Sequence, residues 1–309
     1  MSIKSILWYA LRLFVVFILF TVAYVVGAGA VAGKVAAGAS EPGLVSSEVG
    51  LLIICFIETA IISALVLTSR WGGWKLAVLL SLAYYGATTV LMQIETWYFL
   101  SSVSVSPDLL PALFIMRLPA TFIVVPLSVW ILGKGKAQII ENPNSARVMP
   151  ARQWIWKTAF LALAYLTLYW SAGYFIAWQN PELRAFYGQP GAAVPFLAHT
   201  LNTLRADPGL FPFQIFRSLL WILCALPVIR GSKVNAGWTA LLLGIMFSLP
   251  QNASHIIANP LMPIASVRLS HLVETASSTF VFGLLVVWLL HREHTSVRDL
   301  CGLTPSSAN

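Results

Sequence analysis

The chain has 309 residues, of which 58% are hydrophobic and only 10% charged, with a mean hydropathy of +0.81. Soluble domains carry about a quarter charged residues, so this composition excludes an ordinary soluble fold and indicates an all-α, polytopic integral membrane protein. The net charge of +8 is no sign of nucleic acid as a partner, because the basic residues fall between apolar runs rather than in a stripe interleaved with aromatics.

About eight apolar stretches approach the ~20 residues a helix needs to cross a bilayer. Spans are expected at Ile6–Ala30, Glu48–Ser69, Trp74–Tyr98, Leu110–Leu132, Trp154–Trp178, Phe213–Ile229, Gly237–Ile257 and Ala265–His291. The first has flanks like those of a signal peptide, but its apolar core is longer than such peptides carry, so it reads as a retained helix. Between the fourth and fifth spans, Glu141–Pro150 (ENPNSARVMP) is polar and punctuated by proline. It divides the chain into a first four-helix half (1–140), a linker (141–153) and a second half (154–309). Gly73-Trp74 and Gly237-Trp238 open corresponding helices of the two halves, which fits two parallel four-helix repeats.

The segment 179–212 is a long loop with five prolines. Within it, Val194–Arg205 carries Phe196, Leu197, Leu201 and Leu204 at helical spacing. Such a helix lies in the membrane interface or covers a cavity mouth. Cys55 and Cys224 sit in apolar helices and Cys301 in the tail. None belongs to a CxxC, so neither a disulfide framework nor a thiolate metal site is indicated.

Basic residues set the orientation. Lys4, Arg12, Arg70, Lys75, Lys134, Lys136, Arg147, Arg152, Lys157, Arg230, Lys233, Arg292 and Arg298 all fall on one side of the expected spans. The opposite loops hold only Lys34, Arg184 and Arg205, while Arg117, Arg217 and Arg268 lie at or within helix ends. The positive-inside rule then places both termini in the cytoplasm, with the chain in a cytoplasmic or plasma membrane.

The stretch Gln251–Glu274 (QNASHIIANPLMPIASVRLSHLVE) concentrates polar groups in a run that otherwise reads as membrane. Intramembrane ionisable residues are costly and mark functional sites by default. Steps of three put Arg268, His271 and Glu274 on one face of the last helix. Asn252 and His255 share a face of the seventh helix, Glu95 ends a polar line on the third, and Arg117 lies near the outer end of the fourth. Glu58 sits mid-way along the second. If these converge, three acids (Glu58, Glu95, Glu274) face two bases (Arg117, Arg268). One negative charge is then left for a proton, a cation or a metal. Glu58, with no base on its own helix, is the first candidate for the proton. Each also has a structural reading: Arg117 and Arg268 can snorkel to headgroups, His255 can cap a helix, and His271 with Glu274 can tie helices together.

The leading functional reading is a transporter or permease for a small solute or cation, coupled to protons through Glu58 or Glu274. A second makes His255, His271 and Glu274 the ligands of a divalent zinc or iron ion, with Glu58 or Glu95 as fourth ligand or base. That would suit a membrane-embedded hydrolase or transferase acting on a lipid. A third is a receptor or assembly subunit without chemistry. No HExxH, GxSxG, Walker loop or dinucleotide GxGxxG is present.

Overall fold

The computed structural model describes residues 2–32, 34, 40–100, 107–136 and 149–300. The linker from 141 to 148 and the tail from 301, with Cys301, lie outside the described residues. Those described are helical, with no strand beyond one isolated bridge between Ser69 and Ser232.

Among them, seven helices are long and apolar enough to cross a membrane. They are α1 (Ile3–Ala32), α2 (Ser47–Thr68), α3 (Gly73–Tyr98), α4 (Pro107–Ile131), α5 (Ala151–Ala177), α8 (Leu210–Gly231) and α10 (Ala265–Leu290). Two short helices, α6 (Pro181–Phe186) and α7 (Phe196–Ala206), lie in the long loop. Helix α9 (Ala236–Asn252) has 17 residues and continues as a 3-10 turn over Ala253–Ile256. It runs antiparallel along α10, with Gly244 against Phe280 and Gly283, and Ser248 Oγ donating to Ala276 O at 2.8 Å. At 1.5 Å per residue it covers ~25 Å, close to the apolar depth of a bilayer. It is shorter than the seven, so the described residues show seven spans of the about eight expected from sequence.

The loops rich in Lys and Arg gather at one end. Arg70 donates through Nε and Nη2 to Ser232 O (3.0 and 2.6 Å), Lys134 Nζ to Ser69 O (2.8 Å), and Arg12 lies against Gly133. At the opposite end, Glu41 N bonds Pro263 O (2.9 Å) and Tyr98 OH donates to Asp207 (2.6 Å). The amphipathic segment forms α7 and keeps no residue buried. Its His199 ring stacks near Trp170 and Trp178 at 5.0 and 5.1 Å, while Leu197, Leu201 and Leu204 face outward.

Three crossing helices contain a π-helical turn: Gly86–Val90 in α3, Ala120–Val124 in α4 and Gly173–Ala177 in α5. In α4 the turn lies between Pro119 and Pro126, neither of which has an N–H to give to the residue four back. Such turns recur at functional sites, and each here borders one of the polar groups described below.

At the basic end, Lys157 reaches Arg292 O and His294 Nδ1, both at 2.8 Å. Gln153 bonds the His294 backbone from both sides (2.8 and 3.1 Å). An ammonium donates only, so His294 Nδ1 must accept, which it does only when the ring is neutral. Burial first, then the Lys157, Arg292 and His291 charges, push His294 down from 6.5 to about 4. The unfolded segment therefore binds a proton that the docked one refuses. This latch keeps its full stability above pH 6.5 and loses it as the pH falls from there towards 4. Amide exchange at 291–300, corrected for intrinsic rates, should rise across that window. His294→Gln should flatten the dependence.

Candidate functional site

Four groups of buried polar residues line the bundle between its centre and the end away from the basic loops. The first joins α2, α3 and α4. Glu58 is fully buried and receives Arg117 Nη1 on Oε1 at 2.5 Å and the Tyr84 hydroxyl on Oε2. Arg117 stands where α4 breaks before Pro119, donates to Pro250 O at 3.2 Å, and lies 5.6 Å from the Tyr24 ring. This corrects the expectation of an unpaired Glu58. Its base comes from another helix, and Arg117 points inward instead of reaching for headgroups.

The second group joins α3 and α8. Arg217 holds Glu95 with both nitrogens, Nη1 to Oε1 at 2.6 Å and Nη2 to Oε2 at 2.7 Å. It also donates to Gln214 Oε1 (2.8 Å) and Leu91 O (3.1 Å). Two parallel charge-assisted bonds fix the carboxylate in place as well as in charge. Sequence reasoning set Arg217 aside as a helix-end charge. The available signal was the i,i+3 pair Gln214 and Arg217 inside LFPFQIFRSLL, two polar groups on one face of an apolar run.

Arg268, expected among the carboxylates, does something else. Nη1 donates to Met262 O (2.8 Å) and Pro263 O (2.9 Å), and Nη2 to Glu41 O and Pro42 O (both 2.8 Å). It clasps two loops at the end of the bundle and makes no ion pair with Glu58, Glu95 or Glu274. The charge count therefore changes: Arg217 replaces Arg268, and Glu58 and Glu95 each have an arginine. Glu274 has only the His271 imidazole, Nδ1 to Oε2 at 3.1 Å. Its other oxygen faces Gly173, where a Cβ would stand 3.6 Å away, at the start of the α5 π-turn.

Next to the Glu95–Arg217 pair is a cavity of ≈ 30 Å³, room for about two waters, lined on α10 by Thr275, Ser278 and Thr279 but not by His271 or Glu274. Its wall brings together Glu95 of α3, Tyr165 and Tyr169 of α5, Arg217 of α8, Gln251 of α9 and Thr275, Ser278 and Thr279 of α10. Two of these residues also hold a buried polar atom, Arg217 Nε and Gln251 Oε1, without a hydrogen-bond partner among the described residues. A buried polar atom left unpaired costs about 1–3 kcal/mol, so each calls for an explanation beyond packing.

Three successive residues of α9 link the groups. Pro250 O accepts a hydrogen bond from Arg117, Gln251 lines the cavity, and Asn252 accepts from Thr275 while donating to Ser248 O at 2.7 Å. His255 places Nδ1 3.1 Å from Asn252 O, capping this helix end.

The expected metal triad does not assemble. His271 has both nitrogens engaged, Nδ1 with Glu274 and Nε2 with Tyr187 OH at 2.9 Å. His255 turns Nδ1 to a backbone carbonyl, with its ring 6.5 Å from that of His271. Among the described residues no three His, Cys, Asp or Glu side chains are grouped to hold an ion. Three ligands converging at about 2.0–2.2 Å would require breaking those bonds first.

Comparison of the chain with protein-family models, with curated proteins and with solved structures gives no match.

Proposed function

We propose that this membrane protein is a permease for a small solute or cation, coupled to protons, with the Glu95–Arg217 cavity as its binding site. One observation carries the reading. Five helices contribute a carboxylate, a guanidinium and several uncharged polar groups to one partly enclosed space, and two of its lining residues hold a buried polar atom with no partner among the described residues. A protein that needed only stability would gain little from this layer, since interhelical polar bonds in membranes stabilise by only about 0.6–2 kcal/mol. The cavity as it stands suits an ion, a proton or one or two waters. A larger solute requires the helices to part, and the π-turns at Gly86–Val90 and Gly173–Ala177 are adjustable points in α3 and α5. By the positive-inside rule, the basic end and both termini face the cytoplasm of a plasma membrane, and Glu274 is approached from outside.

The test is proton flux into liposomes holding the purified protein, read by an internal pH-sensitive dye under an imposed gradient. Glu274→Gln and Glu95→Gln should each reduce flux to the level of empty liposomes. Glu48→Gln, exposed at the start of α2, should match the wild type. Equal flux in all four proteins would remove the proposal.

A further inference from the structure

The long loop does more than span α5 and α8. Asn180 Nδ2 donates to Ser266 Oγ and Ser270 Oγ at 3.1 and 3.0 Å, and Glu182 accepts from Ser266. These bonds fasten α6 along one face of α10. They deliver Tyr187, just past the end of α6, to His271, whose other nitrogen meets Glu274. Exposure decreases inward along this line: the side chain of His271 is 17% accessible and that of Glu274 is 8%. One residue on, Thr275 lines the cavity, as does Ser278, whose hydroxyl bonds Glu274 O at 2.8 Å.

While Glu274 is a carboxylate it only accepts, so His271 Nδ1 then carries the hydrogen that lies between them. A neutral imidazole then has its lone pair on Nε2, which accepts from Tyr187 OH. Burial first, with the Glu274 and Glu95 carboxylates behind it, holds the Tyr187 phenol above its usual range. It therefore stays an O–H donor. The charged and titratable groups around the ring are few: Glu274 on its own helix, Tyr187 after α6, and His255 after α9. Arg268, one turn away, is turned to the loop carbonyls. The face of α5 opposite Glu274 offers Gly173.

We infer that His271 is the proton inlet of the cavity: Nε2 takes a proton from the Tyr187 side, and Nδ1 passes its own to Glu274. The step conserves charge and protons. A hydronium ion from the outer solvent gives a proton to the Tyr187 oxygen as the Tyr187 O–H bond breaks and its hydrogen passes to Nε2, so the phenol stays neutral. The N–H bond at Nδ1 breaks, an O–H bond forms on Glu274 Oε2, and the ring is left neutral with its hydrogen on Nε2. A second proton cannot follow until Glu274 has released the first inward and the ring has returned to the Nδ1–H form. The inlet thus meters single protons. This inference rests on the permease reading and adds to it the route and the carrier.

The experiment uses the full chain in bilayers, with ¹⁵N-labelled imidazoles observed at neutral pH beside flux in the same preparation. The His271 signal is assigned by its loss in His271→Gln. Wild type should show the Nδ1–H tautomer. Glu274→Leu should show Nε2–H, because Tyr187 becomes the remaining acceptor. Tyr187→Phe should keep Nδ1–H and carry less flux. An Nε2–H wild type overturns the inlet. Flux lost in Glu274→Gln but retained in His271→Gln overturns it too, while leaving the permease reading intact. Absence of flux in the wild type removes both.

Discussion

Arg117→Ala is expected to lower the free energy of unfolding by about 3–5 kcal/mol, the usual loss when one member of a buried ion pair is removed. Glu58 is fully buried, and Arg117 is 8% exposed. With the guanidinium gone, Glu58 keeps only the Tyr84 hydroxyl and must either remain charged without a counter-ion or take up a proton. Pro250 O loses its donor as well. Glu58→Gln should cost a similar amount for the converse reason, because Arg117 is then buried without its carboxylate. The discriminating variant is the double one. Glu58→Gln with Arg117→Ala leaves no net charge behind, and it should be less destabilised than the sum of the singles by about 1–3 kcal/mol. Unfolding in mixed micelles by titrated denaturing detergent measures all three. Additive losses would show that the two groups do not act as a pair.

The same comparison separates scaffold from site. Glu58 and Arg117 line none of the cavity that Glu95 and Arg217 share. A flux defect in Glu58→Gln should therefore track its lost stability and recover in the double variant. The defect in Glu95→Gln should persist however stable the protein is made. That outcome would mean that two ion pairs of the same chemistry serve different ends, set by whether a cavity adjoins them.

The helices were readable because hydrocarbon tolerates so little else. Expected spans at Glu48–Ser69 and Ala265–His291 agree with α2 and α10 to within a residue or two at each end. The start of α8 was placed late, at Phe213 in place of Leu210, because Pro212 reads as a loop residue while helices accept proline in their first turn. The π-turns were not readable, since a one-residue change of register leaves hydrophobicity untouched. Burial of Glu58, Arg117 and Glu274 could be inferred, since each interrupts an apolar run. Their partners could not. Arg117 lies 59 residues from Glu58 and Arg217 lies 122 from Glu95. Periodicity orders residues on one helix and is silent on which helices touch. That is also why Arg268 was placed among the carboxylates and Arg217 left out. Both are arginines near a helix end, and only the tertiary fold turns one inward and the other to the loops.

Gly283→Leu is expected to separate the α9–α10 pair and, with it, the site. A Cβ on Gly283 would stand 2.6 Å from the Cα and 2.8 Å from the backbone nitrogen of Gly244. Those atoms belong to a helix backbone, so no rotamer change can relieve the clash. The helices must move apart, and close approach through small residues is what brings membrane helices together. Overpacking of this kind costs about 1–3 kcal/mol for a methylene or two, and a leucine exceeds that. Near Gly244 the α9–α10 seam also carries Ser248 Oγ to Ala276 O and the Thr275–Asn252 bond, which hold Gln251 at the cavity. The variant should lose flux together with stability. Gly29→Ala provides the opposite sign. A Cβ there meets nothing within 4 Å, so the substitution should be neutral or stabilise α1 by up to ~1 kcal/mol through helix propensity. If Gly283→Leu proved as stable and as active as Gly29→Ala, α9 and α10 could not be packed backbone to backbone at Gly244. The alignment that presents Gln251 and Asn252 to α10 would then be wrong.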